Sequence, residues 1–269
     1  MPVHLLLKGG AVQSAQEDRK SPDCRPLSTV PKRYKYHKNS ISYMPLYSRS
    51  RSVDISISQF SDIYDRLGAA FGEPVTVIGG RAVNLLCFHN KRDTNDIDVV
   101  ISPVKFSRES LRNPEFYSHV RERLIENGFV VDSSSAPLGK IVDMESGIRI
   151  DLYFSRDISG VPISDIIEGS TEISLPVGKK TANIRVASPV HLIIMKYNTF
   201  ISDGKGSGGR QGKDGADMRN IISNHYRTPE NFLNVEGAKL AEYFMHNPEA
   251  MKAFANMLLL VSYGIHSRQ

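Results

Sequence analysis

Two acidic residues one position apart in a β-rich segment constrain the fold of this chain most strongly. Residues 96–101 read Asp-Ile-Asp-Val-Val-Ile. Because side chains alternate along a strand, Asp96 and Asp98 are predicted to share one face, while the apolar residues beside them share the other. Two neighbouring carboxylates repel each other unless a cation lies between them. The pattern therefore predicts a strand that offers oxygen ligands to a hard divalent ion such as Mg²⁺.

A second alternating segment supplies a third acid. Residues 148–154 read Ile-Arg-Ile-Asp-Leu-Tyr-Phe, in which Asp151 lies on the face opposite Ile150 and Leu152. If the two strands are neighbours, three acids converge on one point, which suits a two-metal site for phosphoryl or nucleotidyl transfer. A solvent-facing strand shows the same alternation, so the acids alone leave a purely structural explanation open. Asp143 is the alternative third acid, but its position before a turn predicts exposure to solvent.

Gly79 and Gly80 stand at a predicted junction between a strand over 75–78 and a helix over 81–88. Glycine lets the backbone approach a phosphate closely, and the first amide groups of the helix then face an anion. A simple tight turn is the alternative explanation. Each feature alone has a purely structural explanation. The succession of two glycines, a helix and acidic strands instead favours a phosphate-binding site.

The remaining apolar spacing predicts an α+β chain. It predicts helices over 56–71 and 114–127, strands over 140–144 and 148–154, and a hairpin of 172–177 with 183–186. After Ser188-Pro189 the chain is predicted to be helical, with later helices over 216–225, 238–245 and 248–262. A mixed front half before a helical back half favours α+β over a doubly wound fold.

The chain divides into three predicted regions. Residues 1–52 contain five prolines and no sustained apolar period, so we predict a disordered arm. Residues 53–187 form the mixed α/β domain. Residues 188–269 form a helical region, in which six glycines between 203 and 215 predict a flexible loop.

Charge is unevenly distributed between these regions. The arm carries ten Lys or Arg and three Asp or Glu, a net charge of +7, whereas the whole chain carries +5. The remainder is therefore slightly acidic, at −2. A basic arm neutralises phosphates and strengthens binding to a polynucleotide without reading its sequence. A solvated tail with no ligand is equally compatible with this composition.

The composition also bears on location. No apolar run approaches the ~18–20 residues that cross a bilayer, and Leu5-Leu6-Leu7 is too short for the apolar part of a secretory signal. The two cysteines, Cys24 and Cys87, cannot form a disulfide framework. The sequence therefore predicts a reduced, cytoplasmic protein that does not act in a membrane.

Several motifs together resemble a known family. The run Val-Ile-Gly-Gly-Arg-Ala at 77–82, followed by Arg92, Thr94, Asp96 and Asp98, resembles the signature of the DNA polymerase β-like nucleotidyltransferase superfamily. More narrowly, it is similar to the abortive-infection type nucleotidyltransferases, which are toxins of toxin–antitoxin pairs. The resemblance covers about residues 58–225. It implies that 53–187 is a nucleotidyltransferase domain, a mixed sheet with flanking helices, followed by a helical C-terminal region.

The resemblance implies roles for particular residues. Asp96, Asp98 and Asp151 would be the metal ligands and the catalytic acids. The stretch from Ala187-Ser188-Pro189 to Met195-Lys196 matches a family motif whose lysine contacts the nucleotide phosphates, and Arg210, Lys213, Asp214 and Asp217 match a later motif. The dense glycines between Lys196 and Lys213 depart from the family pattern. The implied nucleotide-binding residues are Gly79, Gly80, Arg81, Arg92, Thr94, Lys196, Arg210 and Lys213.

The implied activity is metal-dependent transfer of a nucleoside monophosphate. An NTP such as ATP would be the co-substrate, Mg²⁺ or Mn²⁺ the cofactor, and the 3′ end of tRNA or another RNA the acceptor, with a cognate antitoxin as partner. Three alternatives stay open at this point. The first is transfer to a small molecule such as an aminoglycoside, and the second is transfer to a protein side chain. The third is that the chain is a non-catalytic nucleotide-binding module.

Deleting residues 1–52 is expected to weaken RNA binding and to flatten its dependence on salt, because each lost phosphate contact lowers the slope of log K against log salt. Filter binding to total tRNA at several salt concentrations measures both. An unchanged slope would show that the arm contributes no phosphate contacts.

Overall fold

The structure, a computed structural model, describes residues 55–87, 94–132, 138–154, 156–202 and 208–263. All of these belong to one compact unit, Tyr47–Gln269. The arm predicted over 1–52 lies outside the described residues.

A mixed β-sheet forms the centre of this unit. The strands in chain order are β1 (Thr76–Ile78), β2 (Asp96–Val100), β3 (Phe129–Val131), β4 (Lys140–Asp143), β5 (Arg149–Tyr153), β6 (Asp157–Ile158), β7 (Val161–Pro162), β8 (Thr171–Val177) and β9 (Lys180–Val186). Seven of them pair in the order β3-β4-β5-β2-β1-β9-β8, and β6 pairs with β7 in a separate ribbon. The β2–β5 and β1–β9 pairs are parallel, and the others are antiparallel.

Helices flank the sheet and form the C-terminal region. They are α1 (Ile57–Phe71), α2 (Gly79–Leu86), α3 (Arg108–Arg112), α4 (Pro114–Glu126), α5 (Ile163–Glu168), α6 (Pro189–Ser202), α7 (Gly208–His225), α8 (Pro229–Tyr243) and α9 (Pro248–Tyr263). Helix α7 packs on α6, α9 and α2 and so joins the helical region to the sheet. This architecture confirms the predicted α+β class with a mixed sheet, flanking helices and a helical C-terminal region.

Local signals explain where α1 begins and ends. The Ser56 hydroxyl accepts a hydrogen bond from the Gln59 amide, and the Gln59 side chain accepts one from the Ser56 amide, a reciprocal cap that satisfies two free donors. Gly72 ends the helix with φ of 70°, a left-handed conformation that favours glycine. The predicted helix over 56–71 is confirmed.

The alternation predicted for the acidic strands is also confirmed. Ile97 and Val99 of β2 and Ile150 and Leu152 of β5 are all buried in the core. The polar positions between them are partly exposed on the other face. The two strands therefore hold their acids on one side of the sheet by burying the opposite side.

The predicted loop over 203–215 is wrong for residues 208–215, which belong to helix α7. Residues 203–207 lie outside the described part of the chain. Packing explains the difference, because α7 lies against α6, α9 and α2 and buries Met218, Ile221 and Ile222. Burial of these side chains offsets the cost of about 1 kcal/mol for each helical glycine. Helix α8 likewise begins at Pro229, earlier than predicted, because Thr228 caps it and Pro229 occupies its first turn.

Asp143 is buried, so its predicted exposure to solvent is wrong. Its Oδ1 atom lies 2.8 Å from Nη1 of Arg66, and its Oδ2 atom accepts hydrogen bonds from the amide and hydroxyl of Ser146. Burial alone would raise the pKa of Asp143, but the bonds from Ser146 and Arg66 outweigh burial and lower it. Asp143 therefore joins α1 to the β4–β5 turn and takes no part in the acidic face of β2 and β5.

The substitution Asp143→Asn is expected to lower the free energy of unfolding at pH 7 by about 3 kcal/mol, because it breaks a buried ion pair. The pKa of Asp143 is lowered by folding, so its stabilisation is complete above the unfolded-state value of about 3.9 and is lost as pH falls below it. Urea denaturation between pH 7 and 3 tests both points. The exposed neighbour change Glu145→Gln serves as the control, and equal effects of the two changes would contradict the ion-pair explanation.

Candidate active site

Strand pairing brings the predicted acids together. In the parallel β2–β5 pair, Asp98 is the Cα partner of Asp151, and Asp96 is the partner of Arg149. Directly paired residues of neighbouring strands point to the same face of a sheet. The expectation that the two strands lie side by side is therefore confirmed, and an arginine joins the acids at this face.

A cleft of about 400 Å³ opens beside Asp96 and Asp98. This volume lies in the range of small-molecule sites, about 300–1,000 Å³. Its walls come from the β1–α2 junction, β2, β5, α6 and α7. The predicted site residues in these walls are Gly79, Gly80, Thr94, Asp96, Asp98, Lys196 and Lys213.

The other predicted residues lie elsewhere. Arg81 is buried behind the cleft, where Nη2 donates to the carbonyl of Thr94 over 3.4 Å and the guanidinium lies 5.9 Å from the centre of the Phe60 ring. Asp151 lies beside Asp98 but outside the cleft wall. Arg92 lies outside the described residues, and for Arg210 the structure describes only its place in helix α7.

Gly79 is required by its contact with Asp98. Its φ is +67°, in the left-handed region, and a Cβ there would overlap the Asp98 carboxylate. Helix α2 begins at this residue, and its N-cap Ile78 provides no side-chain hydrogen bond to the first amides. The cleft therefore contains a helix start whose donors are free of a side-chain cap, next to a carboxylate.

Asp98 is the most strongly perturbed of the three acids. Burial, followed by the charges of Asp96 and Asp151, raises the pKa of Asp98 to about 7, although Lys196 and Tyr153 act in the opposite direction. The Tyr153 hydroxyl donates to Oδ1 of Asp98 over 3.3 Å. A carboxyl in this state favours a cation, because a nearby positive charge stabilises its ionised form.

Arg149 contacts two of the acids at once. Its Nη2 atom lies 3.0 Å from Oδ2 of Asp96, and its Nε atom lies 3.3 Å from Oδ1 of Asp151. The sequence reasoning missed this contact. The available signal was the position of Arg149 two residues before Asp151, which places both side chains on one face of a strand.

Lys196 is held between two carboxylates of helix α7. Its Nζ atom lies 2.8 Å from Oδ1 of Asp214 and 2.8 Å from Oδ2 of Asp217, and only 13% of its side chain is exposed. Burial alone would lower the pKa of Lys196, but the two acids outweigh burial and raise it. Lys196 therefore stays charged, and the three side chains together carry a net charge of −1.

The donor chemistry fits a divalent cation at the acidic face. Carboxylate oxygens are the ligands that Mg²⁺ and Mn²⁺ prefer, and Oδ1 of Asp151 is buried without a hydrogen bond. Within the described ranges, however, no three His, Cys, Asp or Glu side chains are grouped closely enough to hold one ion. Asp96 and Asp98 are the pair that fits, and Asp151 as a third ligand stays a prediction.

Comparison with protein-family models gives no match, and comparison with curated proteins gives no relative. Among solved structures, the chain is similar to ANT(2″)-Ia in complex with adenylyl-2″-tobramycin, with 13% identity and a TM-score of 0.42 over 74% of this chain and 96% of that one. The chain is also similar to a solution structure of the antibiotic-resistance factor ANT(2″)-Ia, with 15% identity and a TM-score of 0.43. This similarity covers 71% of this chain and 96% of that one. An antigenic nucleotidyltransferase-like protein from Paracoccidioides brasiliensis has 15% identity with this chain and a TM-score of 0.42. The similarity covers 73% of this chain and 92% of that one.

Among the described residues, no helix combines the length and the apolar character needed to span a membrane.

The substitution Gly79→Ala is expected to destabilise the fold more than Gly147→Ala. Both glycines have left-handed φ values, +67° and +71°, but a Cβ at Gly147 meets nothing within 4 Å. The control substitution Gly147→Ala should therefore lower the free energy of unfolding by about 1–2 kcal/mol, from backbone conformation alone. Gly79→Ala should cost about 1–3 kcal/mol more, because it displaces Asp98. Urea denaturation measures both, and equal losses would contradict the contact with Asp98.

Proposed function

We propose that this chain is a divalent-metal-dependent nucleotidyltransferase that moves a nucleoside monophosphate from an NTP to an acceptor hydroxyl and releases pyrophosphate. One observation carries the proposal. The register of β2 and β5 sets three acids side by side, next to a glycine junction that opens into a cleft of nucleotide size. The motif resemblance found in the sequence points to the same chemistry.

The triphosphate would bind at the β1–α2 junction. The uncapped amides at the start of α2 can donate to phosphate oxygens, and the helix N-terminus favours negative charge. Gly79 and Gly80 leave room for this approach because neither has a side chain. Lys213 lies in the same cleft and would contribute positive charge. Lys196 and Thr94 also line the cleft and would act as hydrogen-bond donors, since the charge of Lys196 is already offset by Asp214 and Asp217.

Asp96 and Asp98 would hold Mg²⁺ or Mn²⁺. The bound ion would offset the negative charge that gathers on the transferring phosphate and on the leaving pyrophosphate. It would also relieve the repulsion from Asp96 and Asp151, which adds to burial in raising the pKa of Asp98.

Asp151 would take the proton of the acceptor. In the reaction, the acceptor oxygen forms a bond to the α-phosphorus, the bond from that phosphorus to the bridging oxygen of the β-phosphate breaks, and pyrophosphate leaves with the bonding electrons. Burial raises the pKa of Asp151, and this outweighs the opposing charges of Arg149 and Lys140. A raised pKa makes a carboxylate a better general base near neutral pH.

We propose RNA, and tRNA in particular, as the acceptor. Residues 1–52 carry a net charge of +7, which favours a polyanionic acceptor over a polycationic one such as an aminoglycoside. The toxin role and the antitoxin partner implied by the motif resemblance are part of this proposal.

The test is incubation of the purified chain with each α-labelled NTP, Mg²⁺ and total tRNA. Wild type is expected to label RNA with a preferred nucleotide. Asp96→Asn and Asp151→Asn should each lower the rate by roughly 10²–10⁴-fold, the range for loss of a positioned acid or base. The exposed α1 change Asp65→Asn is the matched control and should transfer normally.

Two results would change the proposal. Full activity of Asp151→Asn would remove its role as base. NTP binding without label on RNA would favour a small molecule or a protein side chain as acceptor, or a non-catalytic nucleotide-binding module.

A further inference from the structure

Arg149 lies within the acidic face of the sheet. It is the Cα partner of Asp96 and precedes Asp151 by two positions on β5, so the three side chains share one face. Its guanidinium lies 3.0 Å from Oδ2 of Asp96 through Nη2 and 3.3 Å from Oδ1 of Asp151 through Nε. One side chain therefore offsets the charge of two acids on neighbouring strands.

This contact separates the acids into two groups. Asp98 lines the cleft and accepts a hydrogen bond from the Tyr153 hydroxyl. Asp151 instead contacts Arg149 and does not line the cleft. An ion shared by all three carboxylates would compete with Arg149 for the same oxygens of Asp96 and Asp151.

The chemistry of arginine suits a permanent place in the site. Its guanidinium keeps its charge at any physiological pH, and its planar fork can contact two carboxylates at once. Burial by itself would lower the pKa of Arg149, but the charges of Asp151 and Asp96 raise it. Its side chain is 48% exposed, so it can be replaced without opening the core.

We propose that Arg149 is the resident second cation of this site, so that the chain binds one divalent ion, at Asp96 and Asp98, where a three-carboxylate site would bind two. This inference rests on the proposed function for its metal and specifies how many ions that function uses. Arg149 is a positioning residue, since it acts by holding Asp96 and Asp151.

The test is titration of the full chain with MnCl₂, with free Mn²⁺ followed by electron paramagnetic resonance. Wild type is expected to bind one ion. Arg149→Met should bind a second ion, with an affinity at least tenfold higher than any weak second binding by wild type. The guanidinium no longer competes with the ion, and Oδ2 of Asp96 and Oδ1 of Asp151 become available as ligands. Arg149→Lys keeps the charge and should restore the single-ion behaviour.

Two further variants separate this role from general effects. The double variant Arg149→Met with Asp151→Asn should lose the second ion, since that ion needs the freed oxygen of Asp151. Arg121→Met removes an exposed arginine from α4 and should leave Mn²⁺ binding unchanged. Thermal unfolding of each variant shows that it is folded, and the melting temperature of Arg149→Met should rise more steeply with Mn²⁺ than that of wild type.

Two ions of similar affinity on wild type, or a single ion on Arg149→Met, would overturn the inference. Absence of Mn²⁺ binding by both proteins would overturn it as well. Failure of the proposed function is read separately, as absence of nucleotide transfer by wild type in the labelling assay, whatever number of ions it binds.

Discussion

The parallel pairing of β2 with β5 is the constraint on which the candidate site depends. Both strands bury an apolar row, Ile97 and Val99 on one and Ile150 and Leu152 on the other. Each buried side chain of this kind contributes roughly 1.5–3 kcal/mol relative to exposure. Repulsion between neighbouring carboxylates opposes this pairing. Burial of the apolar row on the opposite face favours it, so the core holds the acids next to each other.

Positive charges from β5 and α6 offset the repulsion between the acids of this face. Arg149 contacts Asp96 and Asp151 from within β5, while Lys196 lowers the pKa of Asp98 from helix α6. Lys196 is itself held by Asp214 and Asp217 of α7. A chain of alternating charges therefore runs from the sheet through α6 to α7. This arrangement couples the helical region to the acidic strands, because it holds α7 against α6 at Asp214 and Asp217.

Much of the fold could be predicted from local patterns. Ser56 and Gly72 mark the ends of α1, and the alternation in β2 and β5 identifies their buried faces. The glycine pair at 79–80 identified a strand-to-helix junction, and the structure places both residues in the cleft wall beside Asp98. The predicted helix over 216–225 forms the second half of α7, but its first half, residues 208–215, could not be predicted, because glycine disfavours a helix unless a partner packs against it. The Arg149 contacts were also missed, because a spacing of two on one strand does not say which charges will meet across strands.

The sequence by itself determined which residues share a face. The period of two in β2 and β5 and the capping signal of α1 depend only on neighbouring residues, so they can be read without a structure. Tertiary structure decided which charged groups meet. Asp143 became a buried partner of Arg66, 77 positions away, and Arg149 came to lie against Asp96, 53 positions away. Such pairings depend on strand order and helix packing, because electrostatic contacts act over a few ångströms in space and are independent of separation along the chain.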